Sequence, residues 1–344
     1  MRQTIWLLTA ILLAGCGSGP APHAPESPPA PFPTLEGDYL GQTPPAHSAE
    51  VFAPGIISTA FNERDTAIAP DGAEFFYTQL GPSFPVIMMM KRQDGYWRPP
   101  VVASFSGRYG DLEPCFTADG QRLYYVSNRP LNGQGEPKDY DIWYVERTAG
   151  GWGEPVNPGP PLNTDRDEFY PALTRDGQLI FCAGYDTGLG GEDLYLSRPT
   201  GSGWSVPENL GANVNTAADE YNPFIAADGS YVIYTSHGWG TGQGSGDLWI
   251  NFRNDDGTWG QAVNMGPQVN SAAFEYCPRV TPDGRYLFFT SNRSAYPAFS
   301  EEPLDYPAMM ARLAACRNGS HDVYWIPATV IEALRPALPE SFTQ

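Results

Sequence analysis

Five carboxylates recur at one register of this sequence: Glu63, Asp111, Glu168, Glu220 and Glu275 each stand eight residues before the Asp of an Asp-Gly pair. Oxygen donors gathered this way suit a hard cation such as Ca2+, and an acidic rim concentrates its field on a cation or a basic peptide. The internal alternative is that each carboxylate caps backbone N–H groups or pairs with an arginine such as Arg129 or Arg293. Repetition in every unit is what such a structural role produces. Aromatic residues accompany the acids, namely Phe169, Tyr170, Tyr221 and Tyr276; they could stack on a sugar or peptide, or simply pack. No catalytic set stands out. Of four His, two lie near the N-terminus (His23, His47), leaving His237 and His321. No His pair has metal-ligand spacing, and there is no Gly-x-Ser-x-Gly elbow or phosphate-cradling Gly-rich loop. The expectation is a chain without catalytic residues, and without cofactor unless Ca2+ binds the acids. His237 is a candidate ligand contact and the first residue to test for activity.

The elements that place these residues follow from the Asp-Gly pairs themselves. They fall at Asp71, Asp119, Asp176, Asp228 and Asp283, with spacings of 48, 57, 52 and 55 residues. A period near 50 built from short apolar segments predicts an all-β chain, a β-propeller in which each repeat is one four-stranded blade. Segments such as Thr66 to Ala69 and Pro171 to Thr174 read as the inner strand A, and Phe75-Phe76-Tyr77 or Leu287-Phe288-Phe289 as strand B. Asp-Gly between them predicts a hairpin whose two central residues both take positive φ. Strand C follows an Asp in four repeats (Asp141, Asp193, Asp247, Asp322), and Trp97, Trp152, Trp204 and Trp259 open strand D. Pro114, Pro171, Pro223 and Pro278 fall in strand A, where an innermost edge tolerates the lost donor.

The fifth repeat has no strand D of its own, and Glu50 to Gly55 precedes the first strand A where such a strand belongs. The N-terminal segment is therefore expected to close the ring and hide two edges. The count favours five blades, with six as the alternative. The A–B turns are short, whereas the B–C loops run from Pro130 to Tyr140, Gly238 to Gly246 and Ser294 to Ser320. One face is elaborated, and the acids, aromatics and two His belong to it. Within the longest loop, Pro307 to Ala315 reads as a short helix.

Residues 1–15 have a charged start and an apolar run too short for a permanent span, the proportions of a signal peptide. Residues 16–47 are dense in Pro, Ala and Ser and read as an extended tether, 48–336 as the propeller, and 337–344 as a tail. An exported chain permits disulfides, and among three full pairings of Cys115, Cys182, Cys277 and Cys316 the Cys277–Cys316 bridge is expected, since both fall on the elaborated face of the last blade. With 39 acidic against 20 basic residues the net charge is −19, which excludes nucleic acid as a partner.

Two resemblances add to this reading. Leu13-Ala14-Gly15-Cys16 resembles a bacterial lipobox, which implies lipid attachment at Cys16, and Gly17 implies outer-membrane sorting in a Gram-negative host. Pro278 through Thr281-Pro282-Asp283-Gly284 to Ser291-Asn292-Arg293, and Pro114 through Asp119-Gly120 to Ser127-Asn128-Arg129, resemble the PD40, or WD40-like, repeats of TolB-type proteins over about residues 48 to 336. The triplet Pro-Asp-Gly is complete only at 70–72 and 282–284. The chain has no room for the separate α/β domain of TolB, so its partners do not carry over, and the resemblance implies an extracytoplasmic propeller, commonly a binding or scaffolding part. The leading expectation is a monomeric, lipid-anchored propeller that binds an envelope protein or a glycan. A carbohydrate hydrolase or lyase working at the channel mouth is the rival.

Overall fold

Each Asp-Gly pair does sit in a tight hairpin, but the turn is centred one residue earlier than expected. In the computed structural model, which describes residues 31–336, only the Gly of each pair has positive φ, from 66° at Gly120 to 85° at Gly177. The Gly72 N–H bonds Ala69 O at 2.8 Å, so Pro70 and Asp71 are the central residues and Gly72 is the left-handed residue after a type I turn. The Asp stays in ordinary backbone and uses its carboxylate instead: Asp71 and Asp119 accept the N–H two residues on. That local bond explains the residue choice better than backbone tolerance does.

Five antiparallel sheets succeed one another along the chain and form a five-bladed propeller. The inner strands are Asn62–Ile68, Asp111–Phe116, Glu168–Leu173, Glu220–Ile225 and Glu275–Val280. They start earlier than expected, so in the last four blades the repeated acid opens the strand rather than ending a loop. Each inner strand breaks register against strand B, between Leu112 and Cys115 in blade two and between Tyr276 and Arg279 in blade five. The bulged residue precedes the Pro in four blades, so the missing donor falls where the ladder is already interrupted.

Only in blade two does the Trp fall in the outermost strand, Gly151–Trp152, paired with strand C. Trp97 and Trp204 lie in short hairpin extensions of strand C or its continuation. In blades one, three and four the outermost strands come later, at Val101–Val102, Glu208–Asn209 and Val263–Asn264. The apolar faces meet between blades: Phe76 with Tyr125 and Trp143, Tyr170 with Tyr234 and Trp249, Ile250 with Phe289 and Tyr324.

Closure follows the expected route. Glu50–Val51 pairs antiparallel with strand Asp322–Pro327 as the fourth strand of blade five, with Val51 opposite Tyr324. Phe52 is fully buried against Phe75, Phe288 and Trp325. The stretch before it is less of a tether than its composition suggests. From Leu35 the chain is docked: the Trp97 N–H bonds Leu35 O at 2.9 Å, the Trp97 indole N–H bonds Gly37 O at 2.8 Å, and Tyr39 packs on Tyr286 and Trp325. It thereby touches blades one and five and reinforces their junction. Cys16 and the segments 1–15 and 337–344 lie outside the described residues.

Candidate functional site

The five repeated acids are buried, and each serves its own blade. Glu168 accepts the Thr164 hydroxyl at 2.6 Å and the Thr164 N–H at 3.2 Å. Glu63 does the same with Thr59, Glu220 with Thr216, and Glu275 with Ser271. Asp111 is held by Arg129 at 2.6 Å, and Glu275 also by Arg293 at 3.0 Å. Burial pushes Glu63, Asp111 and Glu220 above the ordinary carboxylate range, and Glu168 up to about 7, with the hydroxyl bonds pulling back. Among the described residues no three His, Cys, Asp or Glu side chains converge as a metal ion would require.

A longer motif carries this arrangement and was not read from the sequence. Asn157, Gly159, Asn163, Thr164 and Glu168 recur with the same offsets as Asn209, Gly211, Asn215, Thr216 and Glu220, and as Asn264, Gly266, Asn270, Ser271 and Glu275. The second Asn of each set bonds strand C through both backbone groups, as Asn215 does with Leu194 N and O at 2.8 and 3.0 Å. The strand C acids Asp193 and Asp247 receive loop N–H groups together with the first Asn of the motif. Blades are stitched to one another at the same level: the Glu168 N–H bonds Tyr140 O, and the Glu220 N–H bonds Glu192 O.

Symmetry breaks two residues after each acid. Asp65, Glu113, Tyr170, Asn222 and Cys277 are the bulged residues, all at φ of 50° to 62°. All five are buried, and on the inner strands they form a floor across the channel. Glu113 accepts the Tyr170 N–H at 2.6 Å and Arg64 Nη2 at 2.6 Å, and Arg64 Nε also bonds Asp65 at 2.8 Å. Arg64 lies 5.0 Å over the Tyr276 ring and donates to Cys277 Sγ at 3.2 Å. A positive φ on a non-Gly residue is strained, and five such residues on one ring is the feature that sequence reading missed. The offset from the repeated acid was the signal available.

Above the floor, the elaborated face carries a run of rings. Tyr276 bonds the His321 ring, Tyr221 bonds His237 at 2.7 Å, and Phe274 lies between them, 4.7 Å from Tyr276 and 6.1 Å from the parallel His237 ring. Burial and the nearby Arg64 hold His321 below its usual range, so the ring is neutral at pH 7. Gly246 is required here, because a Cβ would overlap the Phe274 ring and crowd His237. On the other side Tyr140 meets Phe169 at 5.2 Å. Glu192 lies near Asp219 and Asp167; burial raises its carboxyl, and these two acids raise it further. Of the candidate contacts, Tyr221 and His237 reach the surface, Tyr276 is buried under Phe274, and Tyr170 is enclosed in the floor with its hydroxyl on Pro278 O.

The expected bridge is not made. Cys115, Cys182, Cys277 and Cys316 are free thiols, with Cys277 turned inward to Arg64 and Asn222. The bulge at Cys277 directs its side chain to the channel. The expected helix is present at Tyr306–Leu313, capped by Asp305 on the Ala308 N–H, but none of its residues is buried. It stands out from the rim, tied down where Asn318 bonds both Leu313 O and Ala60 O.

No family model matches the chain, and no curated protein matches it. Among solved structures it is similar to a putative TolB from Agrobacterium tumefaciens, at 15% identity over 78% of this chain and 90% of that one, with a TM-score of 0.46. It is also similar to TolB from Acinetobacter baumannii, at 13% identity over 78% of this chain and 54% of that one, with a TM-score of 0.44. An alpha-L-arabinofuranosidase from Lactobacillus brevis aligns at 11% identity over 80% and 92%, with a TM-score of 0.47. At such identities the residues of the channel mouth have to be read from this chain alone.

Proposed function

We propose that this chain is a binding module of the cell envelope whose channel mouth takes a basic segment of a partner protein. The observation that carries the reading is that Glu192 and Asp219 lie near Tyr221 and Asp167 near Tyr140, and that among the described residues none of the three forms an ion pair, Asp167 and Asp219 each accepting one backbone N–H, whereas Asp186 is neutralised by Arg166. A Lys or Arg entering there would meet carboxylates already crowded together and could lie over the Tyr221 or Phe274 ring. Such a contact contributes about 0.5–2 kcal/mol. The net charge of −19 draws a basic partner in from a distance. Export by the 1–15 leader and lipid attachment at Cys16 belong to the same reading, supported by the lipobox-like residues Leu13 to Cys16.

A glycan is the second reading, favoured by the Tyr140–Phe169 pair, whose faces suit a sugar ring. Salt separates the two. Binding of a Lys-rich peptide, followed by fluorescence anisotropy, should weaken steeply as salt rises and be lost in Glu192→Gln and Tyr221→Ala, whereas stacking on a neutral oligosaccharide is insensitive to salt. A pull-down from envelope extract with the propeller lacking residues 1–16 identifies the partner. Equal peptide affinity in the wild type and Glu192→Gln would overturn the basic-segment reading.

A further inference from the structure

The channel has a second half, below the floor, and its chemistry differs from that of the mouth. Arg279 lies on the inner strand of blade five, two residues beyond the bulge at Cys277, and is only 9% exposed. Its surroundings hold no counter-charge in contact. The two carboxylates of the floor, Asp65 and Glu113, are both engaged by Arg64. Among the described residues Arg279 makes no ion pair; Nη1 reaches Cys115 Sγ at 3.4 Å, Nη2 reaches Pro114 O at 3.5 Å, and Nε has no partner. The rings of Tyr170 and Phe224, 5.1 and 6.0 Å away, provide its remaining compensation. A guanidinium taken out of water with its donors so poorly matched is costly unless an anion or ordered water completes it.

Space for such a partner is present. Arg279 lines a cavity of about 610 Å³ that opens toward the A–B turns, with Thr66, Thr117, Cys115, Phe224 and Arg175 on its walls. Of the acids at its rim, Asp283 is held by Arg285, Thr281 and Tyr39 and Glu332 by Arg335, while Asp228 accepts the Ser230 N–H and forms no ion pair among the described residues. Arg175 is exposed and forms no ion pair among the described residues. The wall therefore presents two guanidiniums without an ion pair among the described residues, buried Arg279 and exposed Arg175, beside the Arg335–Glu332 pair and a single unpaired carboxylate, Asp228.

We propose that this turn-face cavity is a binding site for a small oxyanion or for the carboxylate or phosphate group of a small molecule, anchored by Arg279 and assisted by Arg175. The planar guanidinium fork matches either group, which is why the shared chemistry is the anionic oxygen pair. The site is independent of the mouth: the Arg64 floor separates the two, and its ligand has the opposite charge.

The test uses the purified full chain and two probes, malonate and inorganic phosphate, titrated at constant ionic strength with chloride as the balancing salt. Melting temperature and calorimetric heat are both recorded. The wild type should gain thermal stability with at least one probe, and whichever gives the larger gain identifies the carboxylate or the phosphate source. Arg279→Met should fold, melt at or above the wild-type temperature without anion, and lose the response. Arg279→Lys keeps the charge without the fork and should bind at least about tenfold more weakly. Arg175→Gln should weaken binding without abolishing it. Equal responses in the wild type and Arg279→Met, or in the wild type and Arg279→Lys should the Met variant not fold, would overturn the site. So would no response to either probe in the wild type, which would mean that water alone completes Arg279.

Discussion

Glu113 of the second blade accepts the backbone N–H of Tyr170 in the third at 2.6 Å. Its other oxygen takes Arg64 of the first blade at 2.6 Å, so one carboxylate joins three blades across the channel. A buried acid used in this way couples the fold to pH. Burial pushes the Glu113 carboxyl upward, against the pull of Arg64, and it also lifts Glu168 and Asp322 to about 7.

The folded chain consequently holds protons that the unfolded chain releases once pH passes the ordinary carboxylate range of about 4. The stabilisation is complete below that range and is lost as pH rises to about 7. Melting temperature should be higher at pH 5 than at pH 8, and Glu168→Gln should flatten the slope. A profile rising from pH 5 to pH 8 would contradict the burial argument.

The repeated acids act within their blades, so their removal should register in stability before it registers in binding. Glu220 accepts the Thr216 N–H and the hydroxyls of Thr216 and Ser236. Glu220→Ala leaves those donors buried and should cost about 2–3 kcal/mol in denaturant melts, with Glu220→Gln milder because it keeps one acceptor. Unchanged melting together with a loss of calcium binding would assign these acids to a cation instead.

Gly246 lets the Phe274 ring pass close to the backbone. Gly246→Ala should displace that ring, cost about 1–3 kcal/mol, and weaken ligand binding at the mouth while the far-ultraviolet spectrum stays that of a β protein. Retained binding of the Lys-rich peptide would place its site away from Phe274.

Ring closure rests on Phe52 more than on the two-residue strand before it. Phe52 is fully buried among Phe75, Phe288 and Trp325. Phe52→Ala should cost about 3–5 kcal/mol and raise the tendency to aggregate, since blades one and five would part and expose edges. Light scattering during thermal unfolding reads both effects.

Much of the fold was legible because the information is local and repeated. Asp-Gly hairpins, aromatic strands and strand C acids recur in register, so the blade, the count of five and the closing strand at Glu50–Val51 follow from spacing. The docking of Leu35 to Gln42 was hidden by composition: a Pro-rich stretch reads as extended, and only the surface formed by Trp97, Tyr286 and Trp325 gives it something to hold.

The site was less legible, for a different reason. The repeated acids drew notice by their repetition, and repetition marked the structural role they fill in the loops of each blade. The residues that differ from blade to blade, Asp65, Glu113, Tyr170, Asn222 and Cys277, are far apart in sequence and meet only because each inner strand bulges at the same step. The same bulge turns Cys277 toward Arg64 and away from any pairing with Cys316. Local hydrogen-bonding preference and hydrophobic periodicity are encoded residue by residue, so the sequence determined the blades by itself. Which side chains share the channel, and that Arg64 finds its carboxylates while Arg279 finds none, depends on closing five strands around one axis, and only the tertiary structure decided it.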